Sequence, residues 1–377
     1  MLLSLLAPEP SSGCLLFSPS AAEELLALPK EHYASFILAA DRLLRAQPWS
    51  VTFHRPKDTP AGPHDYYSEG PYWWPDPKDP QAPYVRRDGE RNPNRFAANH
   101  DDLGHLGDAA LHLAVAGWRY QQALYIWKLS DLLRVWFVND ATRMNPNLEF
   151  GQAVRNVDWG RGTGLIDTIP LIWIAAAIEL GRQTPSWDKR LDEPLEAWFR
   201  DFLRWMRASP KGLDERKSGN NHAAFWGAQV AAYAHLIRDA EARKEVWDFY
   251  RSDLARQFQP NGAAPREEAR TRSLDYSAYN LGAHALICHM AAQDGVSLWR
   301  HGVDRAAAYL APFVLGKAEW KKPQITKFDA SHTWFLGLAG MGLNRQDWVD
   351  AQEQILKPDN AWLRLLELLL KVWRPAA

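Results

Sequence analysis

Cysteine is nearly absent from this chain of 377 residues, and methionine is scarce, with two and five copies. Cys14 and Cys288 allow at most one disulfide, which excludes a small cystine-stapled fold, and a chain this long can bury a full core without one. Net charge is also missing: 44 Lys plus Arg against 45 Asp plus Glu leave −1. Such balance offers no global attraction to nucleic acid or to a membrane surface, so neither is expected as a partner and any anion site must be built locally. Long apolar runs are lacking, since the longest, around Leu171 to Ile178, is too short to span a bilayer. Met1 to Leu6 is apolar, but no Lys or Arg precedes it and Pro8 and Pro10 interrupt it, so it does not read as an export signal. Ser11 to Cys14 lacks the Leu of a lipoprotein cleavage site. Residues 1–14 are therefore expected to form a flexible N-terminus, and 15–377 a single soluble domain. No G-x-S-x-G elbow or phosphate loop occurs, which disfavours serine-hydrolase and nucleotide chemistry.

Against an ordinary 46% hydrophobic and 24% charged background, 19 Trp and 25 Pro stand out. They suggest flat binding surfaces and long ordered loops. Helical periodicity runs through Ala21–Ala46, Leu103–Trp118, Tyr120–Phe137, Leu165–Leu180, Pro194–Met206, His222–Ile237, Ala240–Phe258 and Ser273–Ala292, and more weakly through Asp304–Leu315, Thr333–Met341 and Ala361–Trp373. Almost nothing alternates as a strand does. Successive helices joined by short turns, without a fixed-length repeat, predict an all-α fold: an (α/α) toroid or incomplete barrel of about six to seven helical hairpins with long cleft-forming loops.

Three segments interrupt the periodicity: Pro48–Asn99, Asn139–Gly164 and Ser209–Asn220. The first holds ten of the prolines, interleaved with Tyr66, Tyr67, Tyr72, Trp73, Trp74 and Tyr84. A disordered linker would not carry so many large aromatics, so this loop is expected to be an ordered cleft wall. Flat faces between prolines suit stacking on sugar rings, and His64 and Tyr66 precede them. In the second, Met144–Gln152, with Asn145 and Gln152, leads to Gly160-Arg161-Gly162, whose glycines follow no strand and read as a tight turn placing Arg161 at a helix start.

Asn220-Asn221-His222 opens a helix whose face carries His222, Trp226, Gln229 and Tyr233 at spacings of four, three and four. Taken alone, an N-cap and a satisfied first-turn histidine explain it better than a functional role does. Further on, Arg270-Thr271-Arg272 precedes Tyr276 and Tyr279, which share one helix face with Arg272. Positive charge beside a phenol is what would bring its pKa of about 10 towards use as an acid or base.

Together, Y-W-W-P at Tyr72–Pro75, M-N-P-N-L at Met144–Leu148, G-R-G at Gly160–Gly162, N-N-H at Asn220–His222 and R-T-R-S-x-x-Y-S at Arg270–Ser277 resemble, in order, the alginate-lyase family of helical-toroid polysaccharide lyases. The resemblance runs from about Leu15 to Pro312. It implies β-elimination on a uronic-acid polymer of alginate, polymannuronate or glucuronan type, without metal or cofactor, by Asn221, His222, Arg272 and a tyrosine. Matching to alginate lyases proper puts that phenol at Tyr279, and the broader branch puts it at Tyr276. Ala223 departs from a common Gly, and Asp275 from a frequent His. The resemblance also implies an anionic polysaccharide partner and a periplasmic or secreted setting. Substrate contacts are expected from His64, Tyr66, Tyr72, Trp73, Trp74, Asn145, Gln152, Arg161, Trp226, Gln229 and Arg270.

The uronate C5 proton is weakly acidic because removing it beside a carboxylate would create a dianion. Donors such as Asn221 and Arg272 would neutralise that carboxylate, a phenolate or neutral His222 would remove the proton, and a tyrosine would protonate the leaving oxygen. If proton and leaving group share a face, one tyrosine could do both; if they are opposed, His222 is the natural base. Further positive potential is expected from Arg86, Arg87 and Arg91. Competing readings are a toroid glycoside hydrolase using Asp101, Asp102 and Asp108, a carbohydrate-binding toroid without catalysis, and a metal site at His100, His105 and Asp108, whose histidine spacing of five is poor for one helical face.

Overall fold

The computed structural model describes residues 13–79 and 81–375. Fifteen α-helices are found among them: α1 (Pro19–Ala27), α2 (Ala34–Leu43), α3 (Ala98–Tyr120), α4 (Ala123–Leu133), α5 (Pro170–Arg182), α6 (Asp192–Ala208), α7 (Pro210–Arg216), α8 (Asn221–Leu236), α9 (Ala240–Ser252), α10 (Pro265–Glu268), α11 (Ser273–Gln293), α12 (Val303–Val314), α13 (Phe335–Leu343), α14 (Gln346–Ile355) and α15 (Ala361–Val372). Contacts run from α3 to α5, α8, α11, α13 and α15 and return to α3, so six helices close an inner ring. Outer helices lean on it: α4 on α3, α6 and α9 on α8, α12 on α11 and α14 on α13.

The two layers have different sequences for a physical reason. An outer helix needs one apolar stripe, and α6 buries Leu195, Trp198, Phe199, Phe202, Leu203 and Met206 at helical spacing. An inner helix is covered all round, and α8 meets this with small residues, Ala223, Ala224, Gly227, Ala228, Ala231 and Ala232, which let neighbouring backbones approach. The segment Gly162–Arg182 is long and apolar enough to cross a membrane, but its most apolar window is 72% buried, and α5 packs on α3 and α8 as a core helix.

Several expectations need correction. Ala21–Ala46 is two helices, because Pro29 breaks the run and a 3₁₀ turn at Lys30–Tyr33 intervenes. Ser209–Asn220 is not an interruption: Ser209 caps α7 through a hydrogen bond from the Gly212 amide, and Pro210 is its first residue. Most of the proposed flexible tail, residues 1–12, lies outside the described residues, but Cys14 is buried and exchanges backbone hydrogen bonds with Phe17.

Four short strands shape the cleft wall. β1 (Tyr67–Glu69) pairs in parallel with β4 (Phe150–Ala153), and β2 (Trp73–Trp74) pairs antiparallel with β3 (Val85–Arg86). The proline-rich loop is thus ordered through strand pairing and through side chains that reach the helices. Asn99 accepts from the Tyr67 amide, and Asp88 holds Arg270 and Thr271.

Candidate active site

The inner helices α3, α8 and α11, together with the 3₁₀ turns that lead into α5 and α13, send residues from their N-terminal ends to one cleft of about 440 Å³. The positive ends of these helices therefore face the same space, which favours an anion there. Loop residues Tyr72, Trp73, Arg86, Arg91 and Arg95 form the opposite wall.

At the start of α8, Asn220 is the N-cap and accepts from the His222 amide at 3.1 Å. His222 then points its Nδ1 at Glu215 Oε1, 2.7 Å away on α7. Glu215 is 1% exposed, and burial raises its pKa against the pull of His222. With Nδ1–H donated to this carboxylate, Nε2 is left as the acceptor on the cleft side. A second buried carboxylate stands behind Asn221: Glu267 accepts the Asn221 backbone amide at 2.6 Å and its side-chain Nδ2 at 3.0 and 2.9 Å. The Asn221 amide nitrogen expected to face a substrate carboxylate is therefore engaged elsewhere, while its Oδ1 is buried without a hydrogen-bond partner.

At the start of α11, Arg272 Nε donates to Asp275 Oδ2 at 3.2 Å. Asp275 also accepts from the Asp329 amide at 2.8 Å and from Gln324 Nε2, tying the 324–329 segment across the helix start. Burial pushes its pKa up, but His332, these donors and Arg272 outweigh it and leave it lowered. Arg270 forms a two-pronged pair with Asp88 and lies 3.7 Å above the Tyr276 ring centroid. Tyr276 and Tyr72 hydroxyls are 2.5 Å apart across the cleft wall. Tyr279 has its ring between Phe225 and His332, and no hydrogen bond is found for its hydroxyl among the described residues. Burial raises the pKa of both Tyr276 and Tyr279, so both phenols hold their protons at neutral pH.

Arg161 is held by the glycines around it. A Cβ at Gly160 would meet Glu149 O at 1.9 Å, and one at Gly164 would meet the Gly151 carbonyl carbon at 2.6 Å, so only glycine lets this turn lie against β4. Gln152, with φ of +48°, pays backbone strain to do the same. Its carbonyl accepts Arg161 Nε at 2.8 Å, its Oε1 accepts Nη2 at 3.3 Å, and its Nε2 donates to buried Asp167. The guanidinium stacks on Trp73, 5.5 Å from the ring centroid. Burial lowers its pKa, yet a guanidinium stays charged. Among the described residues, Arg91, Arg95 and Arg161 have no carboxylate within ion-pair distance and leave positive charge on the cleft.

Asn221, His222, Arg272, Tyr276, Tyr279, Tyr72, Trp73, Gln152, Arg161 and Arg270 line this space. Six expected contacts do not. Trp226 is buried, with its Nε1 on the Met206 carbonyl and its ring on Phe249, and Gln229 is buried against Thr168, Leu165 and Tyr233, because one and two turns beyond His222 this α8 face packs on α6, α9 and the turn before α5 rather than on the cleft. Tyr66 donates from beneath the wall to Asp167. His64 is spent on the Arg143 carbonyl, Asn145 on Asp65, and Trp74 on the Glu90 carbonyl under Arg87. Conversely, Glu215, Glu267, Asp167, Asp88 and His332 were not singled out by the sequence. Ser209-Pro210 is a helix-start signature that could have placed Glu215 one helix before His222; nothing marks His332. Asp101, Asp102 and Asp108 stay outside the cleft, with Asp108 accepting from the Ala361 amide. No group of three or more metal-binding side chains occurs among the described residues.

Comparison with known proteins agrees with the fold. The alginate lyase family model matches residues 50–320. An alginate lyase from Bacteroides ovatus superposes with a TM-score of 0.85 at 29% identity, covering 95% of this chain and 99% of that one. Alginate lyase A1-III complexed with a tetrasaccharide superposes with a TM-score of 0.55 at 16% identity, covering 93% and 98%, a likeness of fold. No curated protein matches the chain. The helical toroid, its cleft and the family match over most of the chain place this protein in the alginate lyase family, as a polysaccharide lyase.

Proposed function

We propose that the protein cleaves a uronic-acid polymer of alginate, polymannuronate or glucuronan type by β-elimination, leaving a 4,5-unsaturated uronate at the new non-reducing end. The observation that carries this reading is the dyad of His222 with buried Glu215, on the same cleft as the Tyr72–Tyr276 hydroxyl pair and three unpaired arginines. Arg161, Arg272 and the cleft arginines draw charge off the substrate carboxylate, so that the C5 carbanion is not a bare dianion. His222 Nε2 takes the C5 proton, and Glu215 stabilises the imidazolium that results. Tyr276, protonated at neutral pH, gives its proton to the leaving C4 oxygen and is resupplied through Tyr72. Tyr279, also protonated, lies against the same floor as a second donor. A periplasmic or secreted setting suits a polymer substrate.

The test is incubation with polymannuronate, polyguluronate and glucuronan while following ultraviolet absorbance of the unsaturated product. Absorbance rising in step with chain ends is expected on at least one polymer. New reducing ends without absorbance would mean hydrolysis, and binding without either signal would mean a carbohydrate-binding toroid.

A further inference from the structure

The Asn221 side chain presents a conflict. Its amide nitrogen donates to both oxygens of Glu267, and its Oδ1 is buried with no partner. An unsatisfied buried acceptor costs about 1–3 kcal/mol, and a carbonyl oxygen turned towards a substrate carboxylate would repel it. Rotating the amide by half a turn exchanges Nδ2 and Oδ1 and removes both faults, but only if Glu267 then has a proton to offer. The geometry allows it. Oε1 is fixed by the Asn221 backbone amide at 2.6 Å, and Oε2, 2.9 Å from the side-chain amide, is the oxygen free to carry hydrogen.

We propose that Glu267 is a positioning residue that binds a proton when a uronate enters the cleft and, as a neutral acid, donates from Oε2 to Asn221 Oδ1, turning the Asn221 amide N–H groups towards the substrate carboxylate. The inference rests on the lyase reading above and assigns proton uptake to substrate binding. No bond other than hydrogen bonds changes. One proton passes from solvent to Glu267, and the substrate carboxylate gains an uncharged double donor. Burial already raises the Glu267 pKa, and an approaching anion raises it further.

Glu267 borders not the cleft but a second cavity of about 640 Å³, with Asn220 lining both. That cavity provides a path for the proton that substrate does not block. Ionisable groups around Glu267 are His222 on α8, Arg270 after α10, and its helix neighbours Arg266 and Glu268. Across the second cavity stand Arg216 and Lys217 at the end of α7, and Asp253 and Arg256 after α9.

The sign follows directly: the competent form is protonated, so kcat/KM is full below the Glu267 pKa and falls as pH rises through it, by about tenfold per unit. The test compares pH profiles of wild type, Glu267→Gln and Glu267→Ala, with thermal unfolding as a control on folding. Gln carries a permanent N–H at the same place, so E267Q should keep turnover within a few-fold at the wild-type optimum and lose the alkaline fall. E267A, folded, should lose at least tenfold in kcat/KM at every pH. Calorimetric binding of a uronate oligosaccharide in buffers of differing ionisation enthalpy should show proton uptake by wild type and none by E267Q. A folded E267Q that keeps the wild-type alkaline fall and proton uptake, or that is inactive, overturns the proposal while leaving the lyase reading intact. Absence of unsaturated product from wild type at every pH overturns both.

Discussion

Tyr276 and Tyr279 lie three residues apart on α11 and meet different surroundings. Tyr276 has a hydroxyl partner in Tyr72 and a guanidinium over its ring; Tyr279 has neither among the described residues. A proton lost by Tyr276 can be replaced along the phenol pair, which suits a group that must reset each cycle. Tyr276→Phe is therefore expected to lower kcat by about 10²–10⁴ with little change in oligosaccharide binding, measured by product absorbance and by calorimetry. Glu215→Ala should cost about 10² in kcat by releasing the imidazole of His222, and His222→Ala should cost at least as much. Unchanged turnover in the glutamate variant would remove its orienting role. The sequence brought Asn221, His222, Arg272 and the tyrosines into view because motif residues cluster locally. Glu215 and Glu267 escaped because a buried carboxylate is defined by what covers it, and their partners come from neighbouring elements.

The proline-rich wall is an element held at a few points. Its ion pair from Asp88 to Arg270 crosses 182 positions of sequence and also fixes the ring of Tyr276. Burial pushes the Asp88 carboxyl up, but Arg270 and Thr271 prevail and bring it to about 2. A depressed carboxylate stabilises the folded arrangement above its ordinary value, near 3.8, and this contribution is lost as pH falls from there towards 2. Asp88→Ala should raise KM severalfold and expose the wall to limited proteolysis at neutral pH, with thermal unfolding little altered. That the loop would be ordered was legible from its aromatics, since rings such as Tyr66 and Tyr67 must be buried somewhere. Which rings would face the cleft was not legible: Tyr66 and Trp74 look alike with Tyr72 and Trp73 until strand pairing and hydrogen bonds assign their sides.

Closure of the ring depends on α15, which lies beyond the residues matched by the family model. Trp362 stacks on Trp173 of α5 at 4.8 Å, and the Ala361 amide donates to Asp108 of α3. Trp362→Ala is expected to cost about 3–5 kcal/mol in chemical denaturation, with the cleft residues untouched. The toroid itself was readable in sequence because similar amphipathic helices joined by short turns have few other ways to bury their faces. The inner layer was harder to place, since α8 and α11 are covered on all sides and their small residues carry no clear stripe.

The same architecture separates being folded from being active. The ring is held chiefly by apolar packing, to which Asp108 adds its bond with the Ala361 amide, whereas the wall leans on the Asp88 carboxylate as well as on strand pairing. Acid that takes the pH from near 3.8 towards 2 should therefore silence the protein before it denatures, with activity and helicity disappearing at different pH values. A sample judged native by circular dichroism could be inert, and on return to neutrality it would recover at the pace of a loop closing, without a folding step.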